Sequence, residues 1–399
     1  MQLSHAATRP TVRIALIFVL AAAISAAFGA TPWMVVHLFL AGGAGLAISS
    51  VTVMLTVTWA AAPAPSARLV AVQRAAVAFG AAGVVLTREV ERFPDWSTGI
   101  PGAAYIAGLG LLVFLLLATV RKGQERRFDV AVAFYVTAAL AALVAVGVGI
   151  YMASSGVTLE LRGVHVVLNL LGFVGLTMAG SLPFFAATVG RSRMAPSATP
   201  FRLALLLGAF VASLGVTVAG LIVESKGLIF VGFGGYLYGI ITVYCFVPRP
   251  TKRQLTWAGP RLVALWCGGV WWLGVLAVTA YEVIDDEQPP FLERWTHVLI
   301  VGAFAQIIWG SLAYLIPMLR GGGPKKLSEG FAQTRSWPGF AGINASAVAF
   351  ALEERTVGVV VLMAVVADGV WRTLSVGLTR SARPDEGGPS GSTVEPDPA

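Results

Sequence analysis

Residues 162–185 read RGVHVVLNLLGFVGLTMAGSLPFF, and this stretch decides the fold class of the chain. Arg162 is its only charged residue, and the mostly apolar run that follows is long enough for a membrane-spanning helix, which needs about 20 residues. The stretch therefore predicts a transmembrane helix. His165 and Asn169 lie one helical turn apart inside it, and ionisable groups within a span are costly and usually functional.

The composition of the whole chain extends this interpretation. Of its 399 residues, 57% are hydrophobic and 12% are charged, and the mean hydropathy is +0.79. A soluble domain carries about 25% charged residues, so the chain is predicted to be an all-α polytopic membrane protein. Two cysteines, Cys245 and Cys267, supply neither a disulfide framework nor a CxxC metal motif.

Twelve stretches are apolar enough to span a bilayer, and together they form a predicted membrane domain over 1–380. The first stretch also resembles a secretory signal, but we expect it to be retained because the repeat described below needs it. The remaining residues, 381–399, are rich in Pro, Gly, Ser and acids, which predicts a disordered cytoplasmic tail. The twelve predicted spans are 12–30, 33–59, 67–87, 99–120, 129–152, 163–189, 202–223, 227–248, 260–282, 294–319, 337–352 and 356–378.

The basic residues give an independent test of the number of spans. With the N-terminus inside, 22 of the 28 Lys and Arg residues fall in inside segments, and the external segment 282–294 is acidic. Cytoplasmic loops of membrane proteins are enriched in Lys and Arg. The alternation predicts twelve spans with both termini inside, and it explains the net charge of +8 by membrane topology rather than by nucleic-acid binding.

Three histidines recur at nearly equal intervals. His37, His165 and His297 each lie near the start of a long even-numbered span: the second, the sixth and the tenth. The sixth and tenth spans also share Gly-Ser-Leu followed by a proline. We therefore predict three four-helix repeats, over about 12–121, 128–248 and 259–378, which place the three imidazoles at one depth near the outer surface.

Two interpretations of these histidines are open. An interfacial histidine can simply pack near Trp33, Arg162 or Trp295. Alternatively, neutral imidazole is a good ligand for iron and copper, and two histidines on facing helices can hold a haem. In that case Asn169 is a candidate for orienting a ligand from the second coordination shell.

Two further polar groups have predicted structural roles. Gln306, in the tenth span, is suited either to lining a cavity or to an interhelical hydrogen bond, and we expect the hydrogen bond. Asp368, in the last span, is suited either to a proton relay or to an ion pair with Arg372 one turn on. We expect the ion pair.

Twelve helices in three four-helix units, with histidines at the outer ends of the second, sixth and tenth, resemble the haem–copper oxidase subunit I superfamily, especially its NnrS-type members. The sixth-span stretch HVVLNLLGFVGLTMAGSLPFF also resembles the membrane modules of actinobacterial proteins associated with copper nitrite reductases. Those relatives tend to read His-x-His-Leu-Asn, whereas Val167 stands here in place of the second histidine.

The resemblance implies a cofactor for each histidine. His37 and His297 match the positions that hold a low-spin haem, and His165 matches a copper ligand. It further implies an external copper protein or electron donor as partner, and a multi-pass location in the plasma membrane of a bacterium. Three intramembrane histidines are too few for an oxygen-reducing centre, so a complete terminal oxidase is not expected.

The sequence therefore favours a haem- or copper-binding membrane protein for electron transfer or for nitric oxide or nitrite metabolism. Whether it is an enzyme stays open. A secondary transporter is one alternative, although transporters usually show a twofold repeat and polar groups at the membrane midplane. A cofactor-free assembly or sensor protein on the same scaffold is the other.

Overall fold

The computed structural model describes residues 2–285, 293–321 and 323–378, and in these ranges helices are joined by short connections. The predicted tail, 381–399, lies outside the described residues. Short helices, Lys252–Ala258 and Gly323–Gln333, precede the ninth and eleventh long helices. The long helices are α1 (Gln2–Ala27), α2 (Pro32–Trp59), α3 (Ala67–Glu89), α4 (Gly99–Arg121), α5 (Asp129–Ser155), α6 (Leu159–Val189), α7 (Pro200–Ile222), α8 (Lys226–Phe246), α9 (Pro260–Asp285), α10 (Trp295–Arg320), α11 (Trp337–Ala351) and α12 (Arg355–Leu378).

Eleven helices of the described chain are long and apolar enough to cross a membrane, and they coincide with eleven of the predicted spans. An all-helical, multi-pass membrane protein is thus confirmed. The exception is α11, whose 15 residues extend about 22 Å at 1.5 Å per residue, less than a hydrocarbon core of about 30 Å. The twelfth span stays a prediction.

The helices form an inner and an outer layer. In the most apolar window of α6, 94% of the residues are buried, against 67% in α2 and in α10 and only 11% in α12. These three are therefore the inner helices, and the others surround them. Small residues allow close packing between the layers: a Cβ atom at Gly180 would lie 2.4 Å from Phe134 on α5, and one at Gly310 would lie 3.1 Å from Ala264 on α9.

Each inner helix changes to π-helical geometry shortly after its histidine, over Leu38–Ala44, Leu168–Gly175 and Leu299–Ala305. A π-helical turn breaks the regular hydrogen-bond ladder and often marks a functional site. Two tyrosine hydroxyls donate to carbonyl oxygens within these segments. Tyr105 on α4 donates to Ala41 at 3.0 Å, and Tyr236 on α8 donates to Leu171 at 2.7 Å.

These contacts share one sequence register. Along the sequence, Leu171 follows Ala41 by the same number of residues as Gly175 follows Gly45. This sequence spacing, from residue 41 to residue 171, is called here the repeat interval. At each of the two glycines, an added Cβ would come within 2.4 Å of the tyrosine oxygen.

The histidines follow the register only in part. One repeat interval after His37 the chain carries Val167 in α6, and one further interval leads to His297 in α10. His165 lies two residues before the register position in α6. His37 and His297 therefore occupy equivalent positions, and His165 does not.

Candidate metal and cofactor sites

The structure brings two of the three predicted histidines together. His37, in the first turns of α2, and His165, in the first turns of α6, are partly buried with ring centroids 6.2 Å apart and planes inclined by 21°. The indole of Trp33 stacks on the His37 ring at 4.0 Å. The His37 ring thus has Trp33 and the imidazole of His165 as ring neighbours.

Main-chain carbonyls define the tautomer of both rings. His37 Nδ1 donates to the carbonyl oxygen of Trp33 at 2.7 Å, and His165 Nδ1 donates to that of Ala145 on α5 at 2.8 Å. Because a carbonyl oxygen can only accept, each Nδ1 carries the proton and each neutral ring keeps its lone pair on Nε2. Metal-binding histidines are held in the same way, with the second ring nitrogen donating to a carbonyl or carboxylate.

Asn169 lies directly beside this lone pair. Its side-chain nitrogen donates to the main-chain oxygen of His165 at 2.8 Å and lies 3.3 Å from His165 Nε2. Gly149 on α5 makes room for the same ring, because a Cβ there would lie 2.9 Å from its Cε1 atom. The amide therefore contacts the nitrogen that a metal would need, so it competes with a metal for that lone pair.

One dimension of the pair, the spacing of the rings, matches a shared ion. Two imidazoles that bind one ion in a linear arrangement place their ring centres about 6 Å apart, since each metal–nitrogen bond is about 2.0 Å, and here the distance is 6.2 Å. In the described part of the chain, no three or more His, Cys, Asp or Glu residues gather into a metal-binding group. At this place the described chain therefore brings together two imidazoles, those of His37 and His165, without a third side chain of these types.

His297 lies in a different environment. Its ring stacks on Phe350 of α11, with centroids 5.7 Å apart, and makes no hydrogen bond to another described residue. It lines a cavity of about 340 Å³ bounded by α1, α2, α10, α11 and α12. His37 and His165 do not line this cavity, although Val36 and Phe39 on α2 do.

The cavity is apolar along most of its length and polar at its ends. His297 and Arg355, at the starts of α10 and α12, lie at one end, and Thr334 and Arg372 lie at the other. Alanine, valine, leucine and isoleucine side chains supply most of the wall between them. An apolar group with an acidic end therefore matches these walls and Arg355.

The repeat interval relates part of the cavity wall to the filled interfaces. Val301 and Ala305 on α10 lie one repeat interval after Leu171 and Gly175. Val366 on α12 lies one repeat interval after Tyr236. The two valines and Ala305 all line the cavity. Where α4 and α8 each insert a tyrosine ring, α12 thus carries only a valine, and the space of the ring stays open.

The remaining polar predictions have mixed outcomes. Asp368 accepts from Arg372 Nε at 2.8 and 2.9 Å, so the predicted ion pair is confirmed. The interhelical hydrogen bond expected for Gln306 is wrong, because its buried amide atoms have no partner in the described ranges.

Sequence reasoning missed the tyrosine contacts and the role of Val366. A signal for them was present, because Tyr105 and Tyr236 are separated by nearly the same interval as the successive histidines. Extending that interval once more leads to α12, where the tyrosine is absent. The repeat could therefore have been searched for aromatic residues as well as for histidines.

Comparisons with known proteins do not assign the chain. No protein-family model matches it, and no characterised protein sequence is significantly similar to it. The geometry of the histidines and of the cavity therefore carries the functional argument.

Proposed function

We propose that the protein is a haem- and copper-binding membrane protein on a haem–copper-oxidase-like scaffold, acting in electron transfer or in nitric oxide or nitrite metabolism. One observation carries the proposal: the two imidazoles of His37 and His165 lie 6.2 Å apart, and both Nδ1 atoms donate to carbonyls. Two neighbouring neutral imidazoles that keep their lone pairs on Nε2 supply two nitrogen atoms able to ligate a metal ion.

In this proposal His37 and His165 hold copper. Copper bound there supplies a one-electron redox centre. Trp33 and Ala145 keep both rings in the ligating tautomer through their carbonyl oxygens. With a metal on Nε2, the amide of Asn169 would lose its contact with that atom and would keep its shorter hydrogen bond to the main-chain oxygen of His165.

The haem is proposed to occupy the cavity beside His297. The apolar walls suit a porphyrin, the ring nitrogens of His297 have no hydrogen-bond partner in the described chain, and Arg355 can pair with a propionate. Haem bound there supplies a second one-electron centre. This assignment leaves His297 as the protein ligand, whereas the resemblance implies that His37 and His297 share the haem.

The same register supports the finer architecture. The tyrosine contacts of α2 and α6, and the glycine contacts that Gly180 and Gly310 make in α6 and α10, are each related by the repeat interval. We propose that α1–α12 form three four-helix units, that all twelve helices span the membrane with both termini inside, and that the membrane is a bacterial plasma membrane. An external copper protein or electron donor is the proposed partner.

The proposed activity stops short of oxygen reduction. A haem–copper oxygen centre needs more histidine ligands than the three in these spans, and two of the three face each other. Two separate one-electron centres suit electron relay, or chemistry on a small molecule such as nitric oxide, better than four-electron reduction.

The visible spectrum and metal content of the purified protein test this function. We expect a haem Soret band together with stoichiometric copper by elemental analysis, after expression with both metals supplied. A colourless protein that holds neither iron nor copper, and that takes up neither copper(I) nor haem when these are added in detergent, contradicts the proposal.

A further inference from the structure

Three arginines gather at the end of the bundle opposite the histidines. Arg191 follows the end of α6, Arg261 opens α9, and Arg335 precedes α11. Only 2% of Arg261 is exposed, whereas Arg191 and Arg335 are exposed. Electrostatic contact between Arg261 and each of the other two places all three charges in one cluster, called here the arginine cluster.

The buried guanidinium is only partly satisfied. Arg261 Nε donates to the carbonyl oxygen of Ala258 at 3.0 Å, and Nη2 donates to that of Trp257 at 3.4 Å. The rings of Trp257 and Phe331 lie 5.2 and 4.9 Å from its central carbon. Nη1 is buried without an acceptor among the described residues, and a buried donor without a partner is unfavourable.

The two exposed arginines flank the same indole. The guanidinium carbon of Arg191 lies 3.8 Å from the ring centre of Trp257. Arg335 Nη2 donates to the carbonyl of Thr256 at 3.0 Å, and its guanidinium passes over Gly259, where a Cβ would lie 2.6 Å from Nε. These positions leave donors of both side chains available beside buried Arg261.

No described carboxylate balances the cluster. None of the three arginines forms an ion pair within the described ranges. The carboxylate of Asp368, on α12, is already bound by Arg372 and by the hydroxyl of Ser336. Like charges in proximity, one of them buried, are costly unless an anion compensates them.

We propose that the arginine cluster binds a phosphate group, and that its source is the headgroup of an anionic phospholipid. Guanidinium groups match phosphate oxygens through paired N–H donors. Arg191 and Arg261 lie at the ends of membrane-spanning helices, where headgroups lie, and Arg335 lies beside Arg261. Basic pockets between transmembrane helices bind such lipids. Free inorganic phosphate offers the same chemistry. This site is independent of the metal sites proposed above.

Thermal unfolding of the delipidated protein in neutral detergent tests the proposal. Tm is measured while phosphatidylglycerol, phosphatidylcholine of the same chain length, or inorganic phosphate is added. Arg191→Gln and Arg335→Gln remove exposed charges without disturbing buried Arg261, and Arg202→Gln, an exposed arginine at the same end of the bundle, is the matched control.

We expect phosphatidylglycerol to raise Tm of the wild type more than phosphatidylcholine does. Each cluster variant should bind it roughly fivefold more weakly, with Arg202→Gln unchanged. A rise with inorganic phosphate alone, lost in the same variants, supports the phosphate site with a soluble anion as its source. The proposal is overturned if neither phosphate source raises Tm beyond the phosphatidylcholine value, or if Arg202→Gln weakens the response as much as the cluster variants do.

Discussion

The α6–α8 interface and the α10–α12 interface are related by the repeat interval, but only the first contains a tyrosine ring at the compared position. Tyr236 fills the first and donates to the carbonyl of Leu171, whereas Val366, one repeat interval later, borders a cavity of about 340 Å³. The interface of α4 with α2 resembles the filled one, through Tyr105. Equivalent places in the chain therefore carry a buried tyrosine in one interface and a cavity-lining valine in the other.

The surroundings of the histidines also differ between the closely packed part of the bundle and the interface that borders the cavity. In the filled part of the bundle, His37 and His165 are held by carbonyls and face each other. At the open interface, His297 stacks on Phe350 and lines the cavity. Two facing imidazoles held by carbonyls thus contrast with a single imidazole at the wall of an open cavity.

The largest expected effect comes from closing the cavity. Val366→Tyr places in α12 the ring that α4 and α8 already carry, so we expect haem binding to be abolished while copper binding stays unchanged. Haem content per protein is read from the Soret band after purification by size exclusion. Val360→Tyr, on the exposed face of α12, is the control and should keep the band. An unchanged Soret band in Val366→Tyr places the haem elsewhere.

The second effect concerns the ion between the imidazoles. His165→Ala removes one of its two protein ligands, so we expect stoichiometric copper to be lost, as measured by elemental analysis. His297→Ala is the matched change outside the pair and should keep its copper. Equal copper content in the two variants contradicts a shared His37–His165 site.

The third prediction concerns how much Tyr236 stabilises the interface between α6 and α8. Tyr236→Phe removes one donor from the carbonyl of Leu171, which keeps the backbone N–H of Leu176, so we expect a loss of about 0.5–1.5 kcal/mol of unfolding free energy. Thermal unfolding in detergent measures the loss. Tyr238→Phe, at a largely exposed position on the same helix, should have no effect. A Tyr236→Phe protein as stable as wild type shows that the ring alone closes the interface.

The smallest effect comes from the amide beside His165. Asn169→Leu removes the contact with Nε2 that competes with a metal, so copper(I) should bind roughly fivefold more tightly, as expected for one hydrogen bond of about 1 kcal/mol. Competition with a chromogenic copper(I) chelator measures the Kd. Weaker binding in this variant instead supports the role first expected for Asn169, that of orienting the ligand.

The sequence predicted the helices well because lipid imposes a simple rule. A span needs a long apolar run whatever it packs against, and eleven such runs became helices close to their predicted bounds. α11 remained the weakest span, and in it Asn344 accepts a hydrogen bond from Trp271 on α9. That contact joins residues far apart in the chain, which periodicity does not reveal.

The site was less accessible to sequence reasoning. The two intervals between successive histidines looked equal, but a shift of two positions turns a side chain by about 200° around a helix. His165 therefore lies off the register that His37 and His297 share, and it meets His37. The cavity was equally hidden, because it depends on what α12 lacks at Val366 and on the packing of α12 near α1, at the opposite end of the chain.

The most direct test is the His37→Ala protein measured for both cofactors in one preparation. We expect copper to be lost while the Soret band of the haem is retained, because His37 faces His165 and, of the three histidines, His297 alone lines the cavity. His37→Gln, which keeps a polar side chain, should behave in the same way and controls for folding. Loss of the Soret band with copper retained would contradict the account and restore the His37–His297 haem pair implied by the resemblance.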